Sequence, residues 1–299
     1  MALYVPDSKT KRWVIISETR SSRPTDSKTS FASLPAGEAG PSLAKQDSIP
    51  VCPFCSGNEH MTPPELYRIG TGGKEEIGWQ VRVVPNKFPI TDTHEVFIHS
   101  PSHDKDISLL PHDQAVRIFS SYRDRYLAHA TDGHVIIFCN HGKSAGASLA
   151  HPHSQLVVVA NQITLDAVSR EPIKNIVESE SGFVSYCPDF SQWPYEVWLA
   201  SEGDTGTFGD TSTNELSIVA GMLQRTIQRL RTIHEKKQEK KPEDQKDPFA
   251  YNYYISHGEQ WFIRVIPRFI HRAGFELGSG LSVNTTAPSQ AAEELKKTI

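Results

Sequence analysis

Two histidines flank one proline in ASLAHPHSQLVVVA, residues 147–160, and a glutamine follows two places on. Residues two apart share a face of an extended chain, so His151, His153 and Gln155 would point the same way. Pro152 fixes its own φ and favours an extended residue before it, which sets the two imidazoles in a defined relation. Three uses are open. Both rings could bind one metal, one could bind metal while the other acts as nucleophile or base, or both could be ordinary polar residues at a strand start. Gln155 narrows the chemistry, because an amide donates and accepts hydrogen bonds but cannot shuttle a proton. Beside a phosphate it would orient charge without activating water, which favours transfer through a covalent intermediate over hydrolysis.

A second cluster lies at Cys52 and Cys55, spaced like two thiolates on one metal-binding knuckle. No second Cys-x-x-Cys exists, so histidines must complete a tetrahedral zinc site; ten of the 13 lie between His60 and His153. No thioredoxin-like βαβ pattern surrounds the pair, which weakens a redox role. Cys139 and Cys187 stand singly in apolar or aromatic surroundings and read as core thiols. The net charge of −4 gives no basic field, so nucleic acid is not an expected partner. No stretch reaches membrane-spanning length and the first residues lack a signal-peptide core, so a cytoplasmic protein is expected.

These residues need elements to hold them. TKRWVIIS (10–17) reads as a strand, and residues 21–50, rich in Ser, Pro and Gly, as a long or partly disordered loop. CPFCSGNEHMTPPE is a turn-rich knuckle. WQVRVVPNKFPIT and HEVFIHS read as strands around a Pro-Asn loop, residues 111–130 as an amphipathic helix, and HVIIFCNHG and SQLVVVA as two more strands. The second half runs in the same order: GFVSYCPDFSQWPYEVWLAS, a periodic helix over 213–235, YNYYISHG and EQWFIRVIP. The charge-dense EKKQEKKPEDQKDP reads as a solvated loop. The chain thus reads as a duplicated unit, residues 1–160 and 161–299, whose second copy lacks the paired histidines.

With these motifs in order, the chain resembles the histidine-triad superfamily. Its H-x-H-x-Q form is similar to the galactose-1-phosphate uridylyltransferase family. RWVIISETRSSRP, CPFCSGNEHMTPPE, VRVVPNKFP, SPSHDKDISLL and CNHGKSAGASLAHPHSQ carry the resemblance over some 140 residues. It implies an α+β fold: two histidine-triad-like halves sharing an extended, mainly antiparallel sheet with helices outside. It implies one structural zinc on Cys52, Cys55, His103 and His151, a closed site of the kind that contributes on the order of 10 kcal/mol to folding. His153 would be the nucleophile on the α-phosphorus of a nucleotide sugar, expelling a sugar 1-phosphate. Gln155 would hold the phosphoryl oxygens. Asn140 and Ser148 would contact phosphates or leaving group, Arg20 and Arg23 would offer guanidinium groups to phosphate, and Asn86 would sit by the nucleoside. Lys143 reads as a solvated side chain.

Four features depart from the family pattern. GEQWFIRVIPR carries no histidine pair where some members hold a second metal, and Cys187 has no Cys-x-x-Cys partner, so a single metal is expected. Gly274-Phe275-Glu276 resembles a hexose-binding Gly-Tyr-Glu, with Phe275 for Tyr and Glu276 retained. Ser282 lies near the place of a family glutamine. The GFELGSG form is closer to the ADP-glucose phosphorylase subgroup. The leading expectation is uridylyl transfer between hexose 1-phosphates, with ADP-glucose phosphorolysis next to it. Other readings are a non-catalytic nucleotide-binding zinc protein and a nucleotide hydrolase, against which Gln155 argues. The resemblance also implies a homodimer.

Overall fold

A computed structural model of the chain describes residues 2–7, 12–22, 51–165, 169–203 and 206–298. Arg23 and the Ser/Pro/Gly-rich stretch that follows it therefore lie outside the described residues. A hairpin comes first, β1 (Leu3–Pro6) with β2 (Trp13–Ile16).

The first half then runs β3 (Tyr67–Gly70), β4 (Trp79–Pro85), β5 (His94–Ile98), α1 (His112–His129), β6 (His134–His141) and β7 (His153–Val159). The second runs β8 (Ile176–Glu180), β9 (Phe183–Tyr186), β10 (Val197–Ser201), α2 (Thr213–Gln238), β11 (Tyr251–Ile255) and β12 (Phe262–Pro267). Two short helices close the chain, α3 (Gly274–Ser279) and α4 (Pro288–Lys296). All but β1 and β2 join one ten-stranded antiparallel sheet, ordered β3-β4-β5-β7-β6-β11-β12-β10-β9-β8. The order reads the same outward from the β6–β11 seam, strand for strand in each half.

The fold is thus α+β with a large antiparallel sheet, as expected. Three differences stand out. Strands β3 and β8 escape the apolar patterns, being short and largely half-buried at the two sheet edges. The charged insertion is not all loop, because α2 continues through Lys236, Lys237 and Gln238, and a single 3-10 turn follows at Glu243–Gln245. Cations in a last turn favour the helix by interacting with its dipole, so charge density here extends a helix. Third, the C-terminal tail folds into α3 and α4.

Strand β7 is buried along its whole length. Its even residues face the helices: Leu156 and Val158 join the main core with Phe97, Phe119, Tyr122, Leu223 and Ile263. Its odd residues face the other way, where Val157 and Val159 pack with Ile163 against Tyr4, Trp13, Ile90 and Phe138. Period-two alternation thus sends His153 and Gln155 to the face opposite the helices, beneath the N-terminal hairpin. On the helix side, Glu95 accepts from Arg125 of α1 at 2.8 Å, tying α1 to β5. Helix α2 starts from a capping box between Ser212 and Glu215.

Candidate functional site

The knuckle turns on itself through Cys55 N to Cys52 O at 3.3 Å and Asn58 Nδ2 to Cys52 O at 2.9 Å. Buried Glu59 anchors it to β4, accepting from Trp79 Nε1 at 2.6 Å and Gly57 N at 2.9 Å. Buried Arg82 reaches Glu65 at 2.9 Å and Thr62 Oγ1 at 2.8 Å from the same strand. So anchored, the knuckle meets two segments from elsewhere. His103 arrives from the turn after β5, and His151 from just before β7.

The ligand atoms of Cys52, Cys55, His103 and His151 all lie within 4.8 Å of one another. Cys55 Sγ is 3.3 Å from His103 Nδ1 and 3.6 Å from His151 Nδ1; Cys52 Sγ is 3.7 Å from His151 Nδ1. A tetrahedron with Zn–S of about 2.3 Å and Zn–N of about 2.05 Å has S···N edges of about 3.6 Å. The four donors therefore fit a closed tetrahedral metal. His151 Nε2 donates to the Ser100 carbonyl at 2.9 Å, which leaves Nδ1 as the lone-pair nitrogen facing the sulfurs. Burial, with His103 and His153 nearby, pushes His151 down to about 4, so the ring is neutral at physiological pH. Burial and the neighbouring Cys52 push the Cys55 thiol up to about 11. Two thiolates there at neutral pH need a cation between them.

His153 is 5% exposed. Its Nδ1 lies 2.9 Å from the His151 carbonyl. A carbonyl only accepts, so Nδ1 carries the hydrogen and the lone pair sits on Nε2. Cys139 Sγ supports the same residue by donating to the His153 carbonyl at 3.3 Å. Phe54 of the knuckle packs edge-on against both imidazoles, with centroids 6.1 Å from His151 and 5.4 Å from His153. Behind the strand, Ser154 joins His99 at 3.0 Å and Tyr122 at 2.7 Å, and Tyr122 meets Tyr253 of β11 at 2.8 Å.

Gln155 lies opposite Val96 on β5 and Phe138 on β6. His94, diagonal to it on the same face, places Nε2 2.9 Å from Gln155 Oε1. Asn86 Nδ2 donates to that oxygen at 3.3 Å, while Asn86 Oδ1 accepts from Phe88 N at 2.8 Å. So Asn86, expected beside the nucleoside, has its amide engaged by Gln155 and its own loop. Half-buried Arg20 donates to the Phe88 carbonyl at 3.0 Å, holding the NKFP loop from the N-terminal side; burial lowers its guanidinium below the usual range.

Asn140, one place beyond Cys139 on β6, accepts at Oδ1 from Asn252 of β11 at 2.8 Å. Asn252 Nδ2 also reaches the Ala145 carbonyl at 2.9 Å and so pins the 143–145 turn. Ser148 is buried in the loop leading to His151, and Lys143 is exposed. Phe275 and Glu276 lie on α3. Phe275 is exposed and Glu276 caps the Ala273 amide at 3.1 Å. Their segment is tied to the second half, where Arg272 donates to Gln192 at 2.8 Å. A cleft of about 640 Å³ opens on the same sheet face beyond Phe138, lined by Arg170, Tyr254, His257 and Arg264 among others.

Spacing thus finds His151, His153, Gln155 and the knuckle, and misses Phe54 and Asn252; His94, one of the histidines available to complete the zinc site, stands outside the four-donor cluster and beside Gln155. Phe54 sits between the two cysteines, where an aromatic ring was a readable signal. His94 and Asn252 reach the site through strand pairing, which no local pattern reveals.

Residues 89–161 match the family model of galactose-1-phosphate uridyl transferase, N-terminal domain. The chain is 25% identical to ADP-glucose phosphorylase of Arabidopsis thaliana, over 97% of this chain and 91% of that protein. It is 22% identical to galactose-1-phosphate uridylyltransferase of Thermotoga maritima, over 97% and 96%. The crystal structure of an Arabidopsis ADP-glucose phosphorylase with bound ADP-glucose superposes with a TM-score of 0.70 at 23% identity, covering both chains fully. A uridylyltransferase structure gives 0.70 at 18% identity, over 100% of this chain and 98% of that one. The two structural likenesses establish a common fold.

Proposed function

We propose that this chain, an enzyme of the galactose-1-phosphate uridylyltransferase family, moves a nucleotidyl group from a nucleoside diphosphate hexose to a phosphate-bearing acceptor through His153. The observation that carries this reading is the bond from His153 Nδ1 to the His151 carbonyl, which puts the ring's lone pair on Nε2. Nε2 attacks the α-phosphorus, an N–P bond forms, and the bond from that phosphorus to the bridging oxygen breaks. The sugar 1-phosphate leaves with the oxygen. The positive charge that develops on the ring is stabilised because Nδ1–H already faces a carbonyl. In the second half-reaction an acceptor phosphate oxygen attacks phosphorus, the N–P bond breaks, and His153 is restored. Gln155 would steady the phosphoryl oxygens, with Asn140 and Ser148 bordering the phosphates and Arg20 and Arg23 offering cationic groups. On this reading Phe275 and Glu276 contact the hexose.

The four-donor cluster supports one structural zinc. Bound there, the ion would supply no chemistry to the phosphoryl group; it would neutralise the thiolates and fasten residues 52–55 to the start of β7. His103 and His151 would hold it by Nδ1. The matching strand order of the two halves supports a duplication, with residues 1–160 carrying the chemistry and 161–299 completing the sheet. The family resemblance supports a cytoplasmic homodimer; among the described residues no helix is long and apolar enough to cross a membrane.

Uridylyl transfer between hexose 1-phosphates is the first reading. A second, adenylyl transfer from ADP-glucose to phosphate, is favoured by the Arabidopsis relative and by Phe275 in place of Tyr. Label exchange tests both. Radiolabelled glucose 1-phosphate should enter UDP-glucose or ADP-glucose without any second acceptor, as a ping-pong scheme requires. No exchange with either nucleotide contradicts the covalent scheme.

A further inference from the structure

Gln155 has two ends of opposite hydrogen-bonding character. A phosphoryl oxygen only accepts, so the –NH₂ end assists it and the carbonyl end repels it. Nothing in the residue itself makes that choice, but its neighbours do.

The chain of donors starts at two backbone amides, whose roles are beyond dispute. Ile90 N–H donates to His94 Nδ1 at 2.9 Å. Nδ1 is therefore an acceptor, the ring is neutral, and its hydrogen lies on Nε2. That nitrogen is 2.9 Å from Gln155 Oε1 and donates to it. In parallel, Phe88 N–H donates to Asn86 Oδ1 at 2.8 Å, which turns Asn86 Nδ2 outward as a donor to Gln155 Oε1 at 3.3 Å. Two fixed donors converge on one oxygen. Asn86 Nδ2 and His94 Nε2 lie 3.1 Å apart, side by side on that acceptor. Rotating the amide would place an –NH₂ against both donors.

We propose that His94 is a positioning residue. It locks the Gln155 carbonyl oxygen away from the reaction and commits the –NH₂ group to the phosphoryl oxygens. The proposal rests on the reading that His153 carries the nucleotidyl group. His94 acts through Gln155, so the two must be coupled: once Gln155 is gone, His94 has nothing left to orient.

A double-mutant cycle tests this, using the single-turnover rate of sugar 1-phosphate release from saturating UDP-glucose and ADP-glucose. Removing an oriented donor of this kind costs about 10²-fold, the loss expected for Gln155→Ala. His94→Ala should lose about 10-fold or more in rate with little change in KM, since Asn86 alone still holds the oxygen. The double variant should be no slower than Gln155→Ala to within about twofold. His94 is buried, so alanine also removes packing. His94→Gln keeps an N–H donor at similar reach and should recover most of the loss. An unchanged rate in His94→Ala, or the same fold-loss from it in the Gln155→Ala background, overturns the role of His94. Release that persists in His153→Ala overturns the covalent reading itself, and the two failures are told apart by that variant.

Discussion

At the scale of residues, the candidate site gives two identical side chains different hydrogen-bond partners. His151 donates from Nε2 to the Ser100 carbonyl and turns Nδ1 to the cysteines; His153 donates from Nδ1 and keeps its lone pair on Nε2. The spacing in HPHSQ shows that both rings and Gln155 belong together. Which nitrogen each ring uses depends on carbonyls supplied by the fold, so that division is invisible in sequence. A third imidazole gives a pH prediction. Burial holds His99 well below the ordinary 6.5, with its ring among Ser154 and Tyr122. Below pH 6.5 the unfolded chain takes up a proton that the native ring refuses. Stability is therefore full above that pH and declines as pH falls toward the native value, by at most about 1.4 kcal/mol per unit from this group. Urea midpoints should show a shallower decline between about pH 6.5 and 5 for His99→Gln than for the parent chain. Parallel slopes would mean that this ring is not held neutral.

At the scale of elements, β7 carries the candidate site, since its alternation puts His153 and Gln155 on one face and core on the other. That alternation is legible in SQLVVVA, and so is the helix that backs it. The edge strands were not, because they bury only part of each side chain. The loop between β6 and β7 depends on Gly142, which sits at φ +84° where β6 ends. A Cβ there would approach Ala250 Cβ to 2.7 Å and the Phe249 carbonyl to 3.1 Å, as well as straining the backbone. Gly142→Ala should cost about 1–3 kcal/mol in thermal or urea unfolding and slow turnover by displacing Asn140 and Ser148. A variant with parent-like stability and rate would show that this loop does not depend on the left-handed turn. Helix α2 offers a milder test. Ser212→Ala removes the cap on Glu215 N and should cost about 1 kcal/mol with little effect on turnover.

At the scale of the whole molecule, the sheet runs unbroken from one half to the other through the β6–β11 ladder. Gln224 of α2 ties the halves again by donating to the Ile107 and Leu110 carbonyls at 2.9 and 2.8 Å. The repeated order of elements was readable along the chain; the seam that joins them was not, because β6 and β11 are more than a hundred residues apart. The knuckle meets the start of β7 through the four-donor cluster and the Phe54 contacts, so metal should matter for folding as well as for the site. We expect one zinc per chain by elemental analysis. Cys52→Ser or strong chelation should lower the melting temperature and the transfer rate together. Full stability and activity in metal-free protein would contradict a structural role for the ion.

The proposed covalent step on His153 is the centre of the account, and intact-mass spectrometry reads it directly. Incubated with UDP-glucose or ADP-glucose and no acceptor, the protein should gain the mass of one nucleotidyl group from at least one of them. Sugar 1-phosphate, added afterwards, should remove it, and His153→Ala should never acquire it. Absence of the adduct with both donors, or its presence on His153→Ala, would contradict the account.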